Sequence, residues 1–98
     1  MVGFEWDEGK NRINIKKHGI SFEEASTAFL DEEGLYLHDF AHSVDEERFL
    51  LLGMSSVSKL LVVCHCISEN NGNIRIISAR RSTKNESKQY YDKILGVD

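Results

Sequence analysis

The sequence predicts a single α+β domain with a mainly antiparallel sheet, in the order β-α-α-β-β-β-β-α. Two observations carry this prediction. Helix signals stand near both ends of the chain, and four strand-like runs follow one another from Gly34 onward with no helix between them. The 98 residues have room for one hydrophobic core, so we expect one domain over residues 1–98.

The first predicted elements are a short strand, GFEWD, and a polar helix. Asp7 is a suitable N-cap for a helix that runs through Lys17, and Gly19 suits the left-handed position after its end. Its few apolar residues include Ile13 and Ile15. Because these residues are so few, we expect packing rather than helix propensity to hold this helix in place.

The remaining helices are indicated by capping boxes. Ser21 with Glu24 opens a second, amphipathic helix, and Thr83 with Glu86 opens a last helix over roughly residues 84–94. We expect the first two helices to cover one face of the sheet. The four strands between them are the runs LYLHD, RFLLLGMSS, KLLVVCHCIS and NIRIISAR, with an acidic loop at residues 40–47 after the first of these.

The dipeptide Asn71-Gly72 predicts a type I′ hairpin turn in which Asn70 pairs with Asn73. Continued along both strands, this register pairs His65 with Ser78 and brings Arg80 to the same face of the sheet. Arg75 then falls on the opposite face, beside Cys66. A shift of one residue would invert this arrangement, because side chains alternate along a strand.

Charge is distributed unevenly along an acidic chain of net charge −4. Residues 31–48 carry seven acidic side chains and one arginine, whereas residues 74–93 carry six basic side chains and two acidic ones. The overall charge argues against nonspecific adhesion to nucleic acid. An anion site is therefore expected in the C-terminal quarter.

The residue types of that quarter suit phosphodiester chemistry without a metal. Arginine holds phosphate with a planar fork of donors, histidine transfers protons near neutral pH, and Tyr90 or Tyr91 could stack on bases. The start of the last helix would add its dipole. The 2′-hydroxyl of RNA would attack the adjacent phosphate. Structural explanations stand beside this one: a packed His65, arginine–carboxylate pairs, and a tyrosine that packs the last helix on the sheet.

Cys64 and Cys66 are two apart on one strand and do not meet disulfide geometry without distortion. We expect reduced, packed thiols; half of a zinc site is the alternative, without a second ligand pair. No metal or cofactor is expected. The sequence has neither a membrane-spanning apolar run nor a secretory signal, so we expect a cytoplasmic protein.

Almost the whole chain, residues 3 to about 92, resembles the BrnT toxin family. The similarity begins in FEWDEGKNRINIKKHGISFEEA, continues in HDFAHSVDEERF, and resumes in KLLVVCHC and IRIISARRSTKNESKQYY. The resemblance implies a RelE-like fold and a metal-independent ribonuclease that arrests translation as the toxin of a type II toxin–antitoxin system. It also implies a BrnA-like antitoxin in a two-fold hetero-oligomer, contact with DNA only through that antitoxin, and no contact with membranes.

Carried over by position, the resemblance implies a functional surface on the last strand and last helix. The expected catalytic residues are His65, Arg75, Arg80 and Tyr90. The expected RNA-binding residues are Arg81, Lys84, Lys88 and Tyr91. We expect the guanidinium groups of the strand to gather in one pocket.

One departure from the family pattern favours an alternative function. Relatives place an arginine about three residues after the position of His65, where this chain has Ser68. The alternative is a non-catalytic module that binds a partner protein and acts as a transcriptional co-repressor with a DNA-binding antitoxin.

Overall fold

The computed structural model describes residues 3–39, 41 and 46–96, and it confirms the predicted order of elements. The predicted acidic loop 40–47 lies mostly outside these residues. No helix within the described ranges is long and apolar enough to cross a membrane. The elements are β1 (Phe4–Glu5), α1 (Glu8–His18), α2 (Phe22–Thr27) continued by a 3₁₀ turn (Ala28–Leu30), β2 (Leu35–His38), β3 (Phe49–Met54), β4 (Leu60–Ile67), β5 (Ile74–Arg81) and α3 (Lys84–Leu95).

The strands form one sheet in the order β1-β5-β4-β3-β2. β1 runs parallel to β5, and the other neighbouring pairs are antiparallel. The α+β prediction with a mainly antiparallel sheet is therefore confirmed.

Hydrogen bonds at the helix ends follow most of the sequence signals. Asp7 caps α1, and Thr83 with Glu86 forms the full capping box of α3. Ser21 caps α2 as predicted, but the carboxylate of Glu24 accepts a bond from a serine hydroxyl in the β3–β4 turn instead of closing a box. Helix boundaries were thus readable from local residue types.

Tertiary packing holds α1 in place as predicted, but polar side chains fasten it to the sheet, and Ile13 and Ile15 do not. Ile13 is 66% exposed and Ile15 is 44% exposed, whereas Asn11 and Asn14 are buried. The Asn14 amide accepts a hydrogen bond from the N–H of Ala79 at 3.1 Å and donates to its C=O at 2.8 Å. It therefore pairs with the outer edge of β5 as a neighbouring strand would.

The sheet has two different faces. On the helix face, which α1 and α2 cover as predicted, the main core is packed around Phe22, Leu51 and Ile76. On the other, open face, a smaller cluster forms where Tyr90 of α3 packs against Leu52 and Val62. The open face is thus only partly covered, and it leaves room for clefts.

The β4–β5 hairpin closes with a longer loop than predicted. The N–H of Ser68 donates to the C=O of Asn73 at 2.8 Å, so residues 69–72 form a four-residue loop. Gly72 has a φ of 72°, but Asn71 does not have the positive φ that a type I′ turn requires. The predicted turn type was wrong, and His65 consequently pairs with Ile76 rather than Ser78.

A β-bulge then changes which side chains share a face. Cys64 pairs with Ser78 while the next residue, His65, pairs with Ile76, so Ile77 is an extra residue in β5. Beyond it Ser78 and Arg80 lie on the open face, opposite to His65. The predicted grouping of these three side chains was wrong because the turn alone does not reveal a bulge.

Candidate functional site

Arg80 and Glu86 form a bidentate ion pair across the turn from β5 to α3. Arg80 donates from Nη1 to Oε1 of Glu86 at 2.9 Å and from Nη2 to Oε2 at 3.0 Å. Its Nη1 also donates to the C=O of Arg81 at 3.2 Å. These bonds from Arg80 are the main reason why the pKa of Glu86 falls to about 2. Two parallel bonds between planar groups fix the orientation of the guanidinium as well as its distance.

The ion pair leaves one edge of the guanidinium available. Glu86 takes the terminal edge, formed by Nη1 and Nη2. In the part of the chain that the structure describes, the Nε–H and the second Nη2–H have no acceptor. These two protons point in one direction and match two oxygens of a phosphate. Arg80 can therefore hold a carboxylate and a phosphate at the same time.

Arg80 lines a cleft of about 310 Å³ on the open face. His18 reaches it from the end of α1, and Arg48 reaches it from the residue before β3. Asp39 also lines the cleft, and its N–H donates to the C=O of Arg48 at 2.8 Å, which holds the ends of β2 and β3 together. Two arginines and one histidine thus line one opening.

Sequence reasoning did not place His18 and Arg48 in the site. His18 follows Lys17 at the predicted end of the first helix, and Arg48 is the one arginine of the acidic segment, residues 31–48. Both lie in the segments that resemble the BrnT family, KHG and DEER, and this was the available signal. Their spatial neighbour Arg80 is more than 30 residues away from each in the sequence, so spacing alone could not connect them.

The apolar floor of the cleft is made by β3, β4 and the bulge in β5. Leu50, Val62, Cys64 and Ile77 contribute to it. Burial raises the pKa of the Cys64 thiol, which keeps this cysteine protonated and unreactive at neutral pH. The floor therefore supplies shape and a low dielectric rather than a reactive group.

His65 lies on the helix face and is 3% exposed. Its ring packs edge-on against Phe29, with 4.8 Å between ring centroids, and contacts Tyr36 and Phe49. Nδ1 lies 3.1 Å from the C=O of Val63. Burial lowers the pKa of this imidazole, so it is neutral at physiological pH. The structure gives His65 a packing environment and separates it from Arg80.

Arg75 shares the open face with Arg80 but lines a different cleft. It pairs with Cys66, and the prediction that it lies on the face opposite to Arg80 was wrong, because the bulge at Ile77 changes the alternation between the two arginines. Its Nη1 lies 3.3 Å from Oε2 of Glu5. The cleft at this end measures about 830 Å³ and is lined by Glu46, among other carboxylates. The expectation that the arginines of β5 gather in one pocket was therefore wrong, since four residues of strand lie between Arg75 and Arg80.

Tyr90 packs α3 onto the sheet. It is 3% exposed, and its hydroxyl donates to Oδ2 of Asp31. Burial, followed by this bond, raises the pKa of Tyr90 far above its usual range. Tyr91, whose ring meets that of Tyr90 edge-on at 5.2 Å, is 47% exposed and can stack on a ligand.

The basic residues at the end of β5 and on α3 lie on the outside of the domain. Arg81 and Lys84 are exposed next to the cleft-bearing end of β5, and Lys88 pairs with Asp92 one turn further along. The capping box occupies the N–H groups of Thr83 and Glu86. Two of the N–H groups at the start of α3 are therefore already bonded, and the Glu86 carboxylate lies beside them.

The two cysteines lie on the open face, as alternation on β4 requires. The Sγ of Cys66 donates to Oε2 of Glu46 at 3.7 Å, and burial raises its pKa. Among the described residues, no group of three His, Cys, Asp or Glu side chains is arranged to hold a metal ion.

Comparisons with known proteins agree with the fold and with the resemblance noted in the sequence. The crystal structure of the Brucella abortus ribonuclease toxin, BrnT, matches 86% of this chain and 100% of its own, with a TM-score of 0.65 at 20% sequence identity. No curated protein matches the sequence significantly. The sequence model of the family described as the ribonuclease toxin, BrnT, of type II toxin–antitoxin systems matches residues 6–86. Because this match spans most of the chain, the protein belongs to the BrnT family of ribonuclease toxins.

Proposed function

We propose that this protein is a metal-independent endoribonuclease toxin whose active site is the cleft between His18, Arg48 and Arg80. The observation that carries the proposal is that two arginines and one histidine line a single cleft, in a member of a ribonuclease toxin family. Such a set can bind a phosphodiester, stabilise added negative charge and transfer protons. RNA brings its own nucleophile, the 2′-hydroxyl.

The proposed reaction is an in-line displacement at phosphorus. The bond from the 2′-oxygen to phosphorus forms as the bond to the 5′-oxygen breaks, which leaves a 2′,3′-cyclic phosphate and a 5′-hydroxyl end. The available edge of Arg80 and the guanidinium of Arg48 would stabilise charge on the non-bridging oxygens. His18 would exchange the proton that leaves the 2′-hydroxyl or the one that the 5′-oxygen requires.

The catalytic roles predicted for His65, Arg75 and Tyr90 stay predictions. The contacts of each residue offer a structural explanation: aromatic packing for His65, the Glu5 ion pair for Arg75, and the Asp31 hydrogen bond for Tyr90. Each would need to break these contacts to reach RNA at the Arg80 cleft. We therefore assign proton transfer to His18 in preference to His65.

Exposed side chains at the end of β5 and on α3 would extend the RNA site beyond the cleft. Arg81, Lys84 and Lys88 carry positive charge that can follow the phosphate backbone, and Tyr91 presents a ring for stacking. Cleavage of messenger RNA bound along this surface would inhibit translation.

Membership of a toxin–antitoxin family implies an antitoxin as the partner. We propose a BrnA-like antitoxin that carries the DNA-binding domain, so that the toxin meets DNA only through it, in a two-fold hetero-oligomer in the cytoplasm. The acidic side chains around the Arg75 cleft suit a basic segment of such a partner.

RNA cleavage by purified protein with EDTA present tests the activity and its metal independence together. We expect Arg80→Ala to lower the cleavage rate by about 100- to 1,000-fold, as the loss of a transition-state donor does. Arg81→Ala removes the same charge from the next residue, and we expect it to lower the rate by less than about tenfold. His18→Ala should resemble Arg80→Ala, with Lys16→Ala as the control on the same helix.

Two results would contradict the proposal: full activity of the Arg80→Ala protein, or loss of wild-type activity in EDTA. Circular dichroism of each variant separates a loss of catalysis from a loss of folding. This check is needed because Arg80→Ala also removes the partner of Glu86. Analysis of the RNA ends adds an independent check, since the reaction should yield cyclic phosphates.

A second candidate function is a non-catalytic module that binds its partner and supports transcriptional repression. It is favoured by the carboxylate partners of two of the three arginines of β5, Glu5 for Arg75 and Glu86 for Arg80. For this function, overexpression would leave growth unchanged while a tight complex with the antitoxin still forms. Growth arrest that is relieved by Arg80→Ala would reject it.

A further inference from the structure

We propose that Glu86 is a positioning residue for RNA cleavage, which holds Arg80 by its terminal edge so that the Nε edge is presented to the phosphate. The inference rests on the proposed function and concerns a residue outside the cleft lining described above. It assigns to Glu86, the acidic member of the capping box of α3, a role in the chemistry as well as in helix formation.

Glu86 is itself fixed by the backbone. Its Oε1 accepts from the N–H of Thr83 at 2.8 Å, and its own N–H donates to Oγ1 of Thr83 at 3.2 Å. The same Oε1 accepts from Nη1 of Arg80, while Oε2 accepts from Nη2. The carboxylate thus cannot turn without breaking a bond either to the helix start or to the arginine.

This arrangement removes the freedom of a long side chain before substrate arrives. Arginine has four rotatable bonds, and here its far end is tied by two bonds to Glu86 and one to the C=O of Arg81. A group already held in its working orientation needs less ordering in the transition state, and a misplacement of about 1 Å costs up to roughly 100-fold in rate.

Simple electrostatics predicts the opposite effect for Glu86, and this makes the inference testable. A carboxylate beside a phosphate site repels RNA, so its neutralisation alone would improve binding. A positioning carboxylate, in contrast, supports turnover despite that repulsion. The two roles separate in kcat and KM, because positioning acts on the transition state and repulsion acts on binding as well.

The test compares Glu86→Gln with Thr83→Ala in steady-state cleavage of one RNA oligonucleotide. The amide nitrogen that Glu86→Gln introduces would face the Nη2 donors of Arg80, so the bidentate pair is lost although an acceptor for the N–H of Thr83 is kept. Thr83→Ala weakens the helix cap and leaves the ion pair intact. We expect Glu86→Gln to lower kcat by about 10- to 100-fold with KM unchanged or lower, and Thr83→Ala to change kcat by less than about twofold.

Other outcomes overturn the inference in distinguishable ways. Unchanged kcat in Glu86→Gln, while Arg80→Ala loses activity, rejects positioning and leaves the proposed function standing. A kcat/KM that rises in Glu86→Gln while kcat is undiminished shows that Glu86 only repels RNA. Equal losses of kcat in both variants assign the effect to the helix cap. Absence of cleavage by the wild-type protein overturns the proposed function and this inference with it.

Discussion

The two faces of the central strands treat charged and titratable side chains in contrasting ways. On the helix face, His65 sits among aromatic rings at 3% exposure and its pKa is lowered by burial. On the open face, Arg80 lies three positions after the bulge residue Ile77. It keeps its charge with a carboxylate partner and borders a cleft. The helix face therefore holds its titratable side chain in the neutral form, whereas the open face holds a charged side chain in a fixed ion pair.

The contrast shows that position along a strand says little about function until the face is known. Val63 and Val62 are adjacent, yet Val63 belongs to the main core and Val62 lies in the cleft floor. Similarly, His65 and Arg80 belong to neighbouring strands and still do not share a face. Variants that probe matched positions on the two faces can sharpen this comparison.

The largest expected difference is between neighbouring leucines of β3. Leu51 is fully buried on the helix face, and Leu50 is half-buried beside the cleft. We expect Leu51→Ala to lower the free energy of unfolding by about 3 to 5 kcal/mol, and Leu50→Ala to lower it by about 1 kcal/mol. Urea denaturation measures both. Equal losses would show that the open face is covered more completely than the structure indicates.

The edge of the sheet gives the next largest effect. Asn14→Ala leaves the N–H and C=O of Ala79 and the C=O of Ile20 without their side-chain partner in a buried place. We expect a loss of about 2 to 4 kcal/mol in the free energy of unfolding. Lys16→Ala on the exposed side of α1 should change it by less than about 0.5 kcal/mol. A small loss in the first variant would mean that water replaces the amide.

Tyr90 separates a structural from a catalytic interpretation on the open face. Tyr90→Phe removes the bond to Asp31, a charged acceptor, and we expect a loss of about 1 to 2 kcal/mol in the free energy of unfolding. Asp31 keeps its bonds from the N–H groups of Met54 and Glu33. Tyr91→Phe is the control.

Cleavage per folded molecule should stay within about twofold in Tyr90→Phe, because the hydroxyl does not line the cleft. A 100-fold loss would instead establish the catalytic role predicted for Tyr90. The denaturant midpoint of the same samples reports stability, so the effect on stability is measured separately from the effect on cleavage.

The smallest expected effect is a pH dependence from His65. Its pKa in the folded protein is lowered below the ordinary 6.5. As pH falls below 6.5, the imidazole of His65 binds a proton in the unfolded chain but stays neutral in the folded protein until pH reaches the lowered pKa. Stability therefore declines with acidification, by up to about 1.4 kcal/mol per pH unit. His65→Phe should remove this decline between pH 6.5 and the lowered pKa; an identical slope in both proteins would contradict the assignment.

The local features of the fold were predictable from the sequence because their causes are local. Caps at Asp7 and Thr83, the glycine after α1, and the alternating runs each act within a few residues. The role of Asn14 was hidden, because an asparagine on a polar helix resembles a surface residue until its partner on β5 is known.

The candidate site was only partly predictable, because it depends on register. Arg80 was identified correctly as a residue near the start of the last helix, and it does line a cleft. Its predicted neighbour His65 was misplaced by a bulge at Ile77, where neither glycine nor proline marks an irregularity. His18 and Arg48 reach the cleft through tertiary contacts that no spacing rule contains.

The extra residue at Ile77 has a consequence for how this domain can change over time. If β5 kept all its residues and paired regularly with β4 beyond Ile76, Arg80 would lie opposite Leu61 and point into the hydrophobic interior; the extra residue keeps it on the open face. A single-codon deletion of Ile77 would leave Ser78 opposite Cys64 and Arg80 opposite Val62, so neither side chain would change face. The loss of one residue should therefore be tolerated at the bulge as well as in the 69–72 loop.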